Sequence, residues 1–208
     1  MRRAAMAFLA LLAVPAGLMA QQCIGQAPWS AGSLKAGGSI EFDGGTEIGG
    51  HVGVGKDGGF GFRAGAGVVT DGGPVGLHVG VNKEMSKKLG DKIAICPLVN
   101  AAYYLKKHGV SSLHVSGGLG GGYPVAMSSS TVGLIITGAA QLGFSKTTVD
   151  GDVCDLPGAD CSSIFGLFSG GVGFIFNNRI SLVPQIIIPT EGDIGFLILA
   201  NVALGKKS

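Results

Sequence analysis

Past residue 90 no stretch reaches the roughly 18 uninterrupted apolar residues that a membrane helix needs, and no long segment keeps a 3.6-residue period. A membrane helix in that part of the chain and a helical bundle are thereby excluded. An excess of charge of one sign is also missing. Removing the first twenty residues takes Arg2 and Arg3 from the 15 lysines and arginines, leaving 13 basic residues against 13 acidic ones. So balanced a chain lacks the electrostatic footprint of a nucleic-acid binder. Its glycine follows no three-residue period, which excludes collagen, and its valine, isoleucine and leucine are too plentiful for an unfolded chain.

What the chain does contain is apolar and glycine-rich. Of its 208 residues 46% are hydrophobic and 39 are glycine, about one in five against the roughly 7% of ordinary proteins. Mean hydropathy is +0.46, high for a soluble protein. The leader "MRRAAMAFLALLAVPAGLMA" has two arginines, an apolar run broken at Pro15 and Gly17, and small Ala20 at its end. It reads as a secretory signal peptide over residues 1–20, cut before Gln21, with bulky Leu18 as its one unusual position. Residues 21–32 then form an N-terminal periplasmic segment, and 33–208 the folded domain. The sequence ahead of Cys23 lacks the small residue of a lipoprotein site, so no lipid anchor is expected there.

Export permits disulfides. Cys154 and Cys161 close a short loop in "CDLPGADC", and Cys23 with Cys96 is the remaining pairing that leaves no odd thiol.

Along 33–208 the recurring pattern is period two. Leu34, Ala36, Gly38, Ile40 and Phe42 alternate with Lys35, Gly37, Ser39, Glu41 and Asp43. Ile48, Gly50, Val52 and Val54 alternate with Glu47, Gly49, His51 and Gly53. The same holds from Phe60 to Val68 around Arg63, and from Val75 to Asn82 around His78. Six further strands are predicted at 93–106, 112–123, 131–145, 164–176, 180–189 and 194–204, separated by turn clusters such as "TDGGP", "KKHGVS" and "TEGD". The count is about ten, with eight or twelve as alternatives.

In a soluble barrel the non-apolar face would carry many charges. Here it is mostly glycine, serine and alanine, which suits a narrow lumen better. With the N-terminus on the periplasmic side, Phe42, Tyr103, Tyr104, Phe144, Phe165, Phe168 and Phe196 fall toward the outer rim. Phe60, Phe62, Tyr123, Phe174 and Phe176 fall toward the inner one. Two aromatic belts around an aliphatic middle are what a bilayer asks of a barrel. The expected fold is therefore an all-β antiparallel up-and-down transmembrane barrel.

The signal peptide, ten-residue alternating segments, glycine-rich strands and aromatic strand ends resemble the small bacterial outer-membrane β-barrel proteins of the opacity-protein and porin-like group, over nearly all of 33–205. The resemblance implies an outer-membrane location, lipid and the barrel assembly machinery as partners, and a monomer with a structural or narrow-pore role. One departure is the C-terminus, "IGFLILANVALGKKS", where such chains commonly end on phenylalanine.

Three constellations invite a chemical reading. "GHVGVGKDGGF" fits G-x-G-x-x-G at Gly53, Gly55 and Gly58, and nearly fits a phosphate loop at Gly50–Lys56, yet "GFGFRAGAGVV" follows where a helix should begin. It is read as strand, turn at Lys56–Gly59 and strand, with Asp57-Gly58 supplying the turn's positive φ angles. His114-x-Ser116 is similar in spacing to the outer-membrane lipid A deacylases, which would make the chain a hydrolase. No Asp or Glu between Gly117 and Thr147 supplies the third member, and the pair is assigned to the lumen. Asp150, Asp152, Asp155 and Asp160 cluster without EF-hand order and are read as a solvated loop.

No catalytic residue, cofactor or metal ligand is assigned. Glu41, Glu47, His51 and Arg63, with His78, Asn82, Asn100 and His114, are read as a polar network filling the lumen. A barrel of ten strands is expected to hold a narrow pore or none, and a soluble secreted binding barrel is the other class to be tested.

Overall fold

The computed structural model describes residues 34–42, 45–56, 60–70, 72–83, 85, 94–125, 132–150, 161–177 and 179–204. The expected signal peptide, Cys23, Cys154, the Asp57-Gly58 turn and most of the acidic loop lie outside them.

Ten strands follow one another: β1 Leu34–Phe42, β2 Thr46–Lys56, β3 Phe60–Val69, β4 Val75–Lys83, β5 Ala94–Lys107, β6 Val110–Val125, β7 Val132–Val149, β8 Ser162–Phe176, β9 Ile180–Pro189 and β10 Gly195–Leu204. Each pairs antiparallel with its sequence neighbours, and β1 closes on β10 from Leu34 opposite Leu204 to Phe42 opposite Phe196. Closure leaves no strand edge unpaired, as a barrel in lipid requires. Strands of 9 to 18 residues meet the roughly 9–11 needed to cross a bilayer.

The longest members are β6, β7 and β8, which outrun the expected segments mainly at one end, here called the outer end. There β5 and β6 turn through His108 at φ 50° and Gly109 at φ 83°. Two positive φ angles in a two-residue turn match the right-handed strand twist, and His-Gly meets that demand with glycine at the second position. Lys107 braces this hairpin to the β3–β4 turn by donating to the Gly73 carbonyl at 2.9 Å.

The barrel is inside out. Outward positions are mostly apolar or glycine, and the large ones lie open: Val79 55%, Leu119 58% and Leu142 71% exposed. Inward positions on β1 to β7 are mostly polar or glycine, with Glu41, Arg63 and Asn100 all at 5% or less, and the apolar exceptions include Val69, Cys96, Leu98 and Ala102. Apolar outside and polar inside is the arrangement of a membrane-spanning barrel, and a patch this large would aggregate in water.

Two corrections to the sequence expectations follow. Tyr104 and Phe165 do not join the outer aromatic belt. Tyr104 is 3% exposed and points inward, and the Phe165 ring lies 6.3 Å from that of inward His114. Parity explains both: Tyr103 and Phe168 face out, and an odd offset on a pleated strand puts the neighbour on the opposite face. The second correction concerns lining. The inner wall of β8, β9 and β10 is largely aliphatic rather than only small or polar, with Leu167, Val183, Ile187, Leu197 and Leu199 packed as a cluster beside Ser169, Ser181, Gln185 and Asn201.

Candidate functional site

The interior holds every residue assigned from sequence to the lumen, all buried except the half-buried His51. Five of them, Glu47, His51, His78, Asn100 and His114, join other interior residues in three groups. Near the outer end, Glu47 of β2 accepts from the Tyr104 hydroxyl of β5 at 3.1 Å and lies 3.2 Å from His78 Nε2 of β4. The Tyr104 ring meets those of His78 and His114 edge-on at 5.8 and 5.5 Å. Midway, Gln141 Oε1 accepts from Asn100 Nδ2 and from the Ser116 hydroxyl, each at 3.2 Å. On the other side of β1, His51 Nε2 donates to Asn201 Oδ1 at 2.7 Å.

Apart from Ser116 to Gln141, which joins neighbouring strands, these bonds reach past an intervening strand, and inner glycines lie beneath the crossing side chains. Gly37 lies between His51 and Asn201 in the register, and a Cβ there would come within 2.7 Å of His51 Nε2 and 2.5 Å of Asn201 Oδ1. The Glu47 carboxylate covers Gly67 on its way to β4 and β5, and Asn100 Oδ1 covers Gly80. Inner glycine is thus a slot that lets a side chain lie flat across the adjoining strand. This gives the high glycine content a local cause: without the slots, the buried polar groups could not reach one another, and unmet buried polar groups are expensive.

Glu47 is the hub. Replacing it with alanine leaves the Tyr104 hydroxyl and His78 Nε2 buried without their acceptor, with an expected loss of about 1–3 kcal/mol. Glu47→Gln, which keeps an acceptor oxygen, should lose less. Urea unfolding of the barrel refolded in detergent measures both.

His114 and Ser116 share the inner face but are not joined. His114 Nε2 lies 3.2 Å from Ser112 Oγ, while the Ser116 hydroxyl is committed to Gln141. A base that takes no proton from the hydroxyl beside it does not activate a nucleophile. Gly53 and Gly55 of the phosphate-like pattern are inward strand residues of β2, and β3 rather than a helix follows. Among the described residues no group of three His, Cys, Asp or Glu is placed to hold a metal ion. Asp150 pairs with Lys106 on the exposed rim.

Cys96 and Cys161 are both disulfide-bonded. Their expected partners, Cys23 and Cys154, lie outside the described residues.

Sequence reasoning did not single out Tyr104, Gln141, Gln185 or Asn201 as interior. A parity signal was present for each, since Tyr104 stands four residues from Asn100 and Gln141 three from outward Phe144. Which of them touch depends on strand register, which parity does not reveal.

The chain matches no family model and no curated protein sequence. Among solved structures it is similar to the outer membrane enzyme PagL, at 10% identity and TM-score 0.41 over 81% of this chain and 98% of that one. The KdgM porin in complex with disordered oligogalacturonate gives 8% and 0.44 over 82% and 99%. Ail, the attachment invasion locus protein of Yersinia pestis, gives 12% and 0.39 over 84% and 99%.

Proposed function

We propose that this protein is an outer-membrane barrel with a structural role, its interior a side-chain core rather than an open pore. The observation that carries this reading is the filled section at β8 to β10, where Val183, Ile187, Leu197 and Leu199 are each 0% exposed while the polar side chains of the facing wall are themselves buried. Barrels of about eight strands are filled by side chains, and water channels belong to those of 16 to 18. Ten strands lie near the filled limit. The exposed apolar belt supports the membrane location over a soluble secreted barrel.

Fractionation followed by electrophoresis with and without boiling tests the location: recovery with the outer membrane and a heat-dependent mobility shift are expected. Bilayer conductance tests the interior. The purified protein should give no steady current, and sustained ohmic channels would overturn the filled-core reading.

A further inference from the structure

The barrel's four described inward charges are sorted by height. Glu41 and Glu47 stand opposite each other on β1 and β2. Six residues further along those strands, roughly 20 Å toward the inner end, Lys35 of β1 and Arg63 of β3 both stand opposite Gly53 of β2. The two cations are 3% and 5% exposed and face the same slot from either side, separated by one strand, roughly 10 Å across. No Asp or Glu among the described residues shares that level of the interior.

Arg63 is the telling member. Its Nε and Nη2 are buried without a hydrogen-bonding partner, and so are Nδ2 of Asn82 and Nδ2 of Asn201. All of these unused atoms are donors. Asn82 lies on β4 two residues from Gly80, which faces Arg63, and Asn201 stands beside Gly37, two residues from Lys35. The side-chain acceptors that register places around it, the amide oxygens of Asn82 and of Asn100 over Gly80, are neutral and offset no charge. A buried guanidinium with unused donors is costly unless a counter-charge joins it, and the strand positions directly opposite Arg63 on both sides, Gly53 and Gly80, are glycine.

We infer that the inner half of the barrel is a binding site for a small monovalent anion, a halide or a short carboxylate, held by the Arg63 guanidinium with the Asn82 and Asn201 amides and the field of Lys35. Arginine suits the task because its planar donors fan toward one acceptor and its charge persists when buried. The carboxylates at the outer row do not compete, being roughly 20 Å away along the strand. The interior is thus polarised along its axis, negative toward the outer end and positive toward the inner.

The test uses the full-length protein purified in detergent. Crystals grown in bromide should show an anomalous peak within hydrogen-bonding distance of Arg63. In solution at fixed ionic strength, replacing bulky gluconate by chloride should raise the unfolding midpoint, by about 5–10 °C at a hundredfold excess over the dissociation constant. Arg63→Met should abolish that shift, and Asn201→Leu should weaken it. If Arg63→Met does not fold, Arg63→Lys, which keeps the charge, should retain a reduced shift. A wild-type midpoint indifferent to the anion, a shift that survives in Arg63→Met, or an interior without a bromide peak would each overturn the site.

Discussion

Arginine in place of Val79 is expected to remove about 2–4 kcal/mol of stability in a bilayer, while arginine in place of Val75, four residues away on the same face, should remove about 0–1 kcal/mol. Val79 is the central residue of the nine-residue β4, outward, and paired with Ala64 and Ala101. A guanidinium there must sit in hydrocarbon or bend a long stem to the interface. Val75 begins the strand at the outer end, where headgroups and water are near.

The contrast between the two sites separates the membrane barrel from a soluble one. In water both valines are simply exposed apolar residues, 55% and 37% open, and arginine at either would be nearly neutral. Denaturant unfolding from lipid vesicles, repeated for the two variants, reads the difference directly. Equal and small effects at both depths would sink the membrane reading regardless of where the protein fractionates.

How far the sequence could lead is clearest where faces and registers part company. The ten strands and their lipid faces were legible because a strand half in lipid must alternate, and turns such as His108-Gly109 carry their own chemistry. Alternation also held the clue to Tyr104 and Phe165, which reading aromatics as belt markers overrode. On β9 and β10, "LVPQIII" and "FLILA" have apolar residues on both faces, the pattern of a strand buried on both sides. That was the available sign of the aliphatic wall. The site itself was less legible. Lys35, Gly53 and Arg63 occupy three strands, and only the pairing of β1 with β2 and of β2 with β3 makes them one row. Likewise, glycine's abundance pointed to a crowded interior, while the crossing side chain over each glycine is a property of register.

Those crossings make two adjacent glycines of β6 respond to the same substitution with opposite sign. Gly118→Val is expected to prevent folding or to cost at least about 3 kcal/mol, whereas Gly117→Val should be neutral or gain about 0.5 kcal/mol. Gly118 faces inward, and a Cβ there would overlap the Ala140 carbonyl oxygen and lie 2.7 Å from Gln141 Cα. Both are backbone atoms of β7, so no rotamer change relieves the clash, and the strand pairing of β6 with β7 must give way. The Gln141 side chain, 2.9 Å from the same point at Cγ, would be displaced from Asn100 and Ser116, stranding their buried donors. At Gly117, facing lipid, a Cβ would meet the Leu98 carbonyl oxygen at 3.6 Å and Val99 Cγ2 at 3.9 Å, ordinary contact distances. A β-branched residue there restricts the unfolded chain and adds apolar surface to the belt. Refolding yield by heat-dependent mobility, followed by urea unfolding of whatever folds, decides the matter. Tolerance of valine at Gly118, or damage at Gly117 equal to it, would show that glycine is not there to let Gln141 cross.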